Sequence, residues 1–64
     1  MDGDKSAASW IGAEACGGLL RLWWIDDGDR LIAAETHKIS EAGPEAKLQS
    51  LLAGSDLPVL RSGW

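Results

Sequence analysis

Sixty-four residues set one domain as the ceiling, near the lower edge of what folds unaided, and exclude a two-domain enzyme built from this chain alone. A hydrophobic share of 45% with 25% charged side chains is globular rather than disordered composition, and six basic against ten acidic residues give a net charge of −4 that disfavours nucleic acid and anionic membranes as partners. So short a chain buries only about 60% of its unfolded surface, so a partner is expected, either a second copy (a homo-oligomer) or a missing partner domain.

Residues 1–6 are small and polar without a period and read as a disordered lead-in, leaving residues 7–64 as a single small domain. The start Met1-Asp2-Gly3-Asp4-Lys5 has neither a basic cluster nor an apolar run, so no signal peptide or membrane span is expected. One cysteine, Cys16, closes no internal disulfide, and a reducing cytoplasm is the expected compartment.

From Ser9 to Ala15 a period of two puts Ile11, Ala13 and Ala15 on one side and Trp10 and Glu14 on the other, which predicts a strand. Cys16-Gly17-Gly18 follows, and adjacent glycines supply the positive φ angles of a tight hairpin. Leu19 to Ile25 predicts a second strand with Leu20, Leu22 and Trp24 on one face and Leu19, Trp23 and Ile25 with Arg21 on the other. Both faces are apolar, one helix covers only one of them, and something else must cover the second.

Asp26-Asp27-Gly28-Asp29 reads as a second hairpin turn built on Asp-Gly, and a third strand is expected from Arg30 to about Ile39. Pro44 at a helix start, Glu45 behind it, an apolar stripe of Leu48, Leu51 and Leu52, and Gly54 as a left-handed end predict about three helical turns. Leu57-Pro58-Val59-Leu60-Arg61 reads as a fourth strand. The fold class is therefore α/β, a β-β-β-α-β unit in which a right-handed crossover returns the last strand parallel to the first, giving a sheet order 3-2-1-4 with one helix on one face.

Few residues carry chemistry. His37 lacks partners at ligand spacing and reads as an ordinary exposed strand histidine rather than a metal ligand. Cys16 at its turn reads as incidental rather than nucleophilic. Asp26, Asp27 and Asp29 lack the spacing and closing Glu of a calcium loop and read as a solvated turn. The hairpin Glu14 to Gly18 is more informative, because a carboxylate ending one strand before a glycine turn is one way to hold magnesium and phosphate, although a plain Gly-Gly hairpin accounts for the same residues.

From about Trp10 onward the chain resembles the N-terminal segment of the 2-dehydro-3-deoxygalactonokinase family, sugar-acid kinases with the actin and hexokinase type of ATPase fold. That family opens on an Asp-Trp-Gly-Thr-Thr-or-Ser-x-Leu-Arg-x-Trp pattern, and here Glu14-Ala15-Cys16-Gly17-Gly18-Leu19-Leu20-Arg21-Leu22-Trp23 occupies the same frame, with Leu20, Arg21 and Trp23 coinciding. Asp27-Gly28, the strand from Arg30 to Glu35, the helix from Pro44 to Ala53, and Pro58-Val59-Leu60 with Gly63 follow in the family's order. The resemblance implies carbohydrate metabolism, ATP-dependent phosphorylation of a sugar acid in intact relatives, magnesium near Glu14, and nucleotide phosphate near Gly17, Gly18 and Arg21.

The sequence departs from the pattern where the chemistry lies: Glu14 replaces an Asp, Cys16 a glycine, and Gly17 and Gly18 the hydroxyl residues. Each lost hydroxyl donor weakens phosphate contacts by roughly 1 kcal/mol. The expectation is a kinase-like module with a degenerate phosphate loop that does not catalyse as this chain, has no catalytic residue, and requires no cofactor unless the likeness extends to Mg-ATP. The alternative is a small non-catalytic interaction or homo-oligomerisation module that pairs through the sheet face of Leu20, Leu22 and Trp24 or through its opposite.

Overall fold

The computed structural model describes residues 5–63. Four strands, β1 (Trp10–Cys16), β2 (Leu19–Ile25), β3 (Leu31–Lys38) and β4 (Val59–Ser62), and one helix, α1 (Pro44–Leu51), follow each other as β1-β2-β3-α1-β4. The sheet order is β3-β2-β1-β4, with β1 antiparallel to β2, β2 antiparallel to β3, and β4 returning parallel to β1. This is the α/β unit and the 3-2-1-4 order expected from the sequence.

The first hairpin turns as its glycines require. Gly17 and Gly18 have φ of 61° and 79°, the two positive values of the tight two-residue turn that suits right-handed strand twist. A side chain at either position would carry a steric cost that glycine avoids. The register that follows pairs Cys16 with Leu19, Ala15 with Leu20 and Glu14 with Arg21.

The side chains on one sheet face and on α1 form the core. Ile11, Ala13, Leu20, Leu22 and Trp24 are buried from β1 and β2, Ala8 joins them from before β1, and Leu48 is the one fully buried residue that α1 contributes. Ile32, Ala33, Ile39, Leu51, Leu52, Leu57 and Val59 pack around this cluster. Half of the two-faced pattern in β2 is thus explained: the Leu20, Leu22 and Trp24 face lies under the helix.

Several boundaries differ from the sequence expectation. Lys5–Ala7 forms a short 3-10 turn, so order begins before the expected lead-in ends; Lys5 is tied down by an ion pair with Glu35 and by the Trp24 ring, whose centroid lies 4.2 Å from its ammonium. Residues 1–4 of that lead-in, and residue 64, lie outside the described residues. The helix covers a little over two turns rather than three, because its hydrogen bonding closes at Leu52 N–H to the Leu48 carbonyl and a separate turn, Ser55 N–H to the Leu52 carbonyl, carries the chain past the left-handed Gly54. The last strand starts at Val59, after Pro58, whose carbonyl accepts from the Ile11 N–H at 2.9 Å.

The Asp-Gly hairpin is also built differently. The loop holds Asp27, Gly28 and Asp29 between Asp26 and Arg30, with Asp29 N–H donating to the Asp26 carbonyl at 3.1 Å and Asp26 N–H to the Arg30 carbonyl at 3.0 Å. Asp29, not Gly28, takes the left-handed conformation, with φ of 62°. This is the three-residue loop in which a turn is followed by one left-handed residue. The Asp26 carboxylate selects it by accepting from the backbone N–H groups of Gly28 and Arg30 at 2.8 and 2.9 Å and from the Arg30 Nε at 3.1 Å. Asp26 is therefore buried and organising, and the reading of all three aspartates as a solvated turn is corrected for it.

Candidate functional site

Glu14, Gly17, Gly18 and Arg21 converge on one end of the sheet, whereas Asp26, Asp27 and Asp29 lie in the hairpin at its other end. Glu14 on β1 and Arg21 on β2 are direct cross-strand neighbours, and their side chains pair at 3.7 Å on the face turned away from α1. The guanidinium also lies 5.4 Å from the centroid of the Trp23 ring, two residues along the same face. Both charged groups remain partly exposed, so this ion pair is worth less than about 1 kcal/mol. The Glu14–Arg21 contact was implicit in the sequence: a two-residue turn at Gly17-Gly18 sets Cys16 opposite Leu19, and counting back two pairs sets Glu14 opposite Arg21.

The turn itself lies two residue pairs beyond, roughly 7 Å along the strands. Around both of its glycines the space is open, with nothing within 4 Å of where a Cβ would stand. The C-terminal end of β4 arrives at the same end of the sheet, pairing Ser62 alongside Glu14. Gly63 follows with φ of 87°, and a Cβ there would stand 2.7 Å from the Ala15 carbonyl oxygen, so only glycine lets the chain pass this close to β1. Glu14, Arg21, the Gly17-Gly18 turn and the end of β4 are thus brought together.

As a holder of magnesium and nucleotide phosphate this donor set fits poorly. Glu14 is a single carboxylate already engaged by Arg21, and Cys16, Gly17 and Gly18 bring no hydroxyl to the turn. Among the described residues no group of three or more His, Cys, Asp and Glu side chains is placed to hold a metal ion.

His37 departs from the ordinary exposed histidine read from the sequence. Its side chain is 29% exposed, stands opposite Leu20 at the margin of the core face, and its Nε2 lies 2.8 Å from Glu35 Oε1. Glu35 in turn binds Lys5, and these two partners, Lys5 first, hold its carboxyl below the ordinary glutamate value. The Lys5–Glu35–His37 chain joins the segment before β1 to β3 and is a structural link. Cys16 is exposed beside the turn.

A second feature of this face went unread beyond β2. Opposite the helix, Trp10 and Gly12 of β1, Trp23 and Ile25 of β2, Leu31 and Ala34 of β3 and Leu60 of β4 share one surface, with Leu31 57% and Leu60 61% exposed. Their alternation with the buried residues of the same strands is the signal that places them there. No other element among the described residues packs over this surface, and no helix among them is long and apolar enough to cross a membrane.

Comparison of the chain with protein-family models, with curated proteins and with solved structures finds no match.

Proposed function

We propose that this chain is a kinase-like opening module, the β-β-β-α-β unit with which a sugar-acid kinase of the actin and hexokinase type begins, and that it is catalytically silent by itself. One observation carries the reading: β4 returns parallel beside β1 so that Glu14, the Gly17-Gly18 turn and the tight passage of Gly63 across Ala15 gather at one end of a 3-2-1-4 sheet. A carboxylate beside a backbone turn at a sheet end is the arrangement from which phosphoryl-transfer sites are assembled. In such a site Glu14 would stand nearest the metal, Gly17 and Gly18 nearest phosphate, and Arg21 would balance charge. The missing hydroxyls and the Glu14–Arg21 pairing support weak nucleotide affinity and no turnover. A cytoplasmic location goes with this reading, on the strength of one unpaired cysteine.

Replacing the corresponding opening unit of an active 2-dehydro-3-deoxygalactonokinase by residues 7–63 tests the reading. A folded, soluble chimera with strongly reduced ATP-dependent phosphorylation is expected, and Glu14→Asp within it should raise the rate, whereas Thr or Ser at Gly17 and Gly18 would strain their positive φ angles. An aggregated chimera beside a well-folded parent would count against it. Titration calorimetry of the 64-residue chain with Mg-ATP adds a check: micromolar binding abolished by Glu14→Ala would show an intact rather than a degraded site.

A second reading, a small non-catalytic assembly module, is favoured by the surface of Trp10, Trp23, Ile25, Leu31 and Leu60. Of the two sheet faces weighed from the sequence, the one bearing Leu20, Leu22 and Trp24 is closed by the helix, so assembly would use its opposite.

A further inference from the structure

The registers of the three strand pairs arrange the open face in rows. From β3 across to β4 they read Leu31, Ile25, Trp10, then Ala34, Trp23, Gly12, Leu60, then Thr36, Arg21, Glu14, Ser62. Each row complements its own reversal. Reversed, the third row sets Arg21 over Glu14 and Glu14 over Arg21, with the hydroxyls of Thr36 and Ser62 facing. In the second row the small Ala34 meets the large Leu60, and in the first Ile25 meets Trp10.

Reversing the rows while keeping their order is the operation of a two-fold axis that runs along the strands between β1 and β2. We infer that a second copy of this chain packs face to face on the first about that axis, forming a two-sheet sandwich with a helix on each outer side. The inference rests on the assembly reading and specifies its partner and geometry. A two-fold interface must complement itself, which these rows do in both size and charge. Trp23 leans over Gly12, its Cε3 lying 3.3 Å from where a Gly12 Cβ would stand, so each indole tilts toward the axis and the two meet across it. Within each chain Arg21 and Glu14 already pair at 3.7 Å and stay partly exposed, so the dimer closes a square of alternating charges. An axis across the strands would instead set the Arg21 and Glu14 row on the Trp10 and Ile25 row, desolvating charge against indole.

With strands about 4.8 Å apart, three of them about 23–26 Å long and the four-residue β4 about 13 Å, the footprint is roughly 800 Å² for both copies, the range of weak, transient interfaces, which suits a dimer of micromolar or weaker affinity. Aligned sheets pack about 10 Å apart, within reach of indole and guanidinium side chains.

Sedimentation velocity on the 64-residue chain, from about 1 to 500 μM, is expected to show a reversible monomer–dimer equilibrium. Glu14→Arg and Arg21→Glu each place like charges across the axis and should weaken the homodimer about tenfold or more, with circular dichroism confirming that both variants keep the fold. Mixed in equal amounts, the two variants should form a heterodimer tighter than either homodimer, since one chain brings two cations and the other two carboxylates. Breaking the pair within one chain has no such effect. Cys16, at the same end of both sheets, should be joined to its counterpart by a short bismaleimide, whereas an axis across the strands separates the two thiols by about one strand length, 23 Å. A wild-type chain that stays monomeric throughout overturns both the inference and the assembly reading. A dimer indifferent to both charge reversals, without preferred heterodimer or Cys16 cross-link, overturns the geometry alone.

Discussion

Leu48→Ala removes the one fully buried side chain by which α1 is fixed to the sheet. Leu48 is 2% exposed and packs in the cluster with Ile11, Leu20, Leu22 and Trp24, while Leu51 and Leu52 are only half-buried at its margin. Truncating a buried leucine to alanine costs about 2–5 kcal/mol, depending on how far the site collapses. Here the cavity would lie between a sheet and a helix of only eight residues, which relaxes more readily than a sealed core, so about 3 kcal/mol is expected. At about 0.05–0.15 kcal/mol per residue, 64 residues hold roughly 3–10 kcal/mol in total, so the substitution removes a third or more of the stability. Urea unfolding at fixed protein concentration, followed by circular dichroism and by tryptophan emission, reads the effect directly, because Trp24 is 6% exposed in the same cluster. With a slope of about 1 kcal/mol per molar urea, the midpoint should fall by about 3 M or the protein should be largely unfolded in water. Gln49→Ala, on the exposed side of the same helix, should stay within about 0.5 kcal/mol of wild type. A Leu48→Ala loss below about 1 kcal/mol would show that the helix does not close this core.

Asp26 gives a pH signature. The Arg30 backbone N–H, with that of Gly28 and the Arg30 guanidinium, holds its carboxyl below the ordinary value of 3.8. A depressed carboxyl contributes stability that is present above its unfolded pKa and lost as pH falls through the lower folded one, so the wild type should lose stability from about pH 4 downward and Asp26→Asn should flatten that loss in pH-dependent thermal melts. Gly63→Ala should destabilise by about 1–3 kcal/mol in the same melts, because its Cβ meets the Ala15 carbonyl oxygen at 2.7 Å and its φ of 87° is unfavourable for alanine. Asp29→Gly should raise stability modestly, by about 0.5–1 kcal/mol, read as a higher melting midpoint, since Asp29 occupies the left-handed loop position that glycine adopts without steric cost.

What the sequence made legible follows strong, redundant signals. The apolar run of β2 lies between a Gly-Gly pair and an aspartate cluster, and its bounds at Leu19 and Ile25 were readable from those signals alone. Pro44 and the Leu48, Leu51 and Leu52 stripe fixed the helix and its buried face, and one helix after three strands left a parallel return for β4. Less legible were features decided by one side chain choosing a backbone partner. Nothing in Asp26-Asp27-Gly28-Asp29 says that the first carboxylate will bind two N–H groups and move the left-handed residue from Gly28 to Asp29. Likewise Lys5, in a polar stretch without periodicity, is ordered only because the fold brings Glu35 and the Trp24 ring to it across 30 and 19 positions of chain. At the candidate site the residue set was readable, and the Glu14–Arg21 pairing followed from counting back from the turn. The rows of the open face were not, since they depend on all three registers, including the irregularity between Trp24 and Ile25 that brings Leu31 opposite Ile25.

Both the kinase-like reading and the face-to-face pairing require β4 to lie parallel on β1 with the Gly17-Gly18 hairpin on its other side. Cross-strand nuclear Overhauser contacts in an isotope-labelled sample test this directly: contacts linking Ile11 with Val59 and Gly12 with Leu60, together with Glu14 and Arg21 across the hairpin, are the predicted result. Contacts joining Val59–Ser62 to Leu31–Lys38, with none to β1, would contradict it.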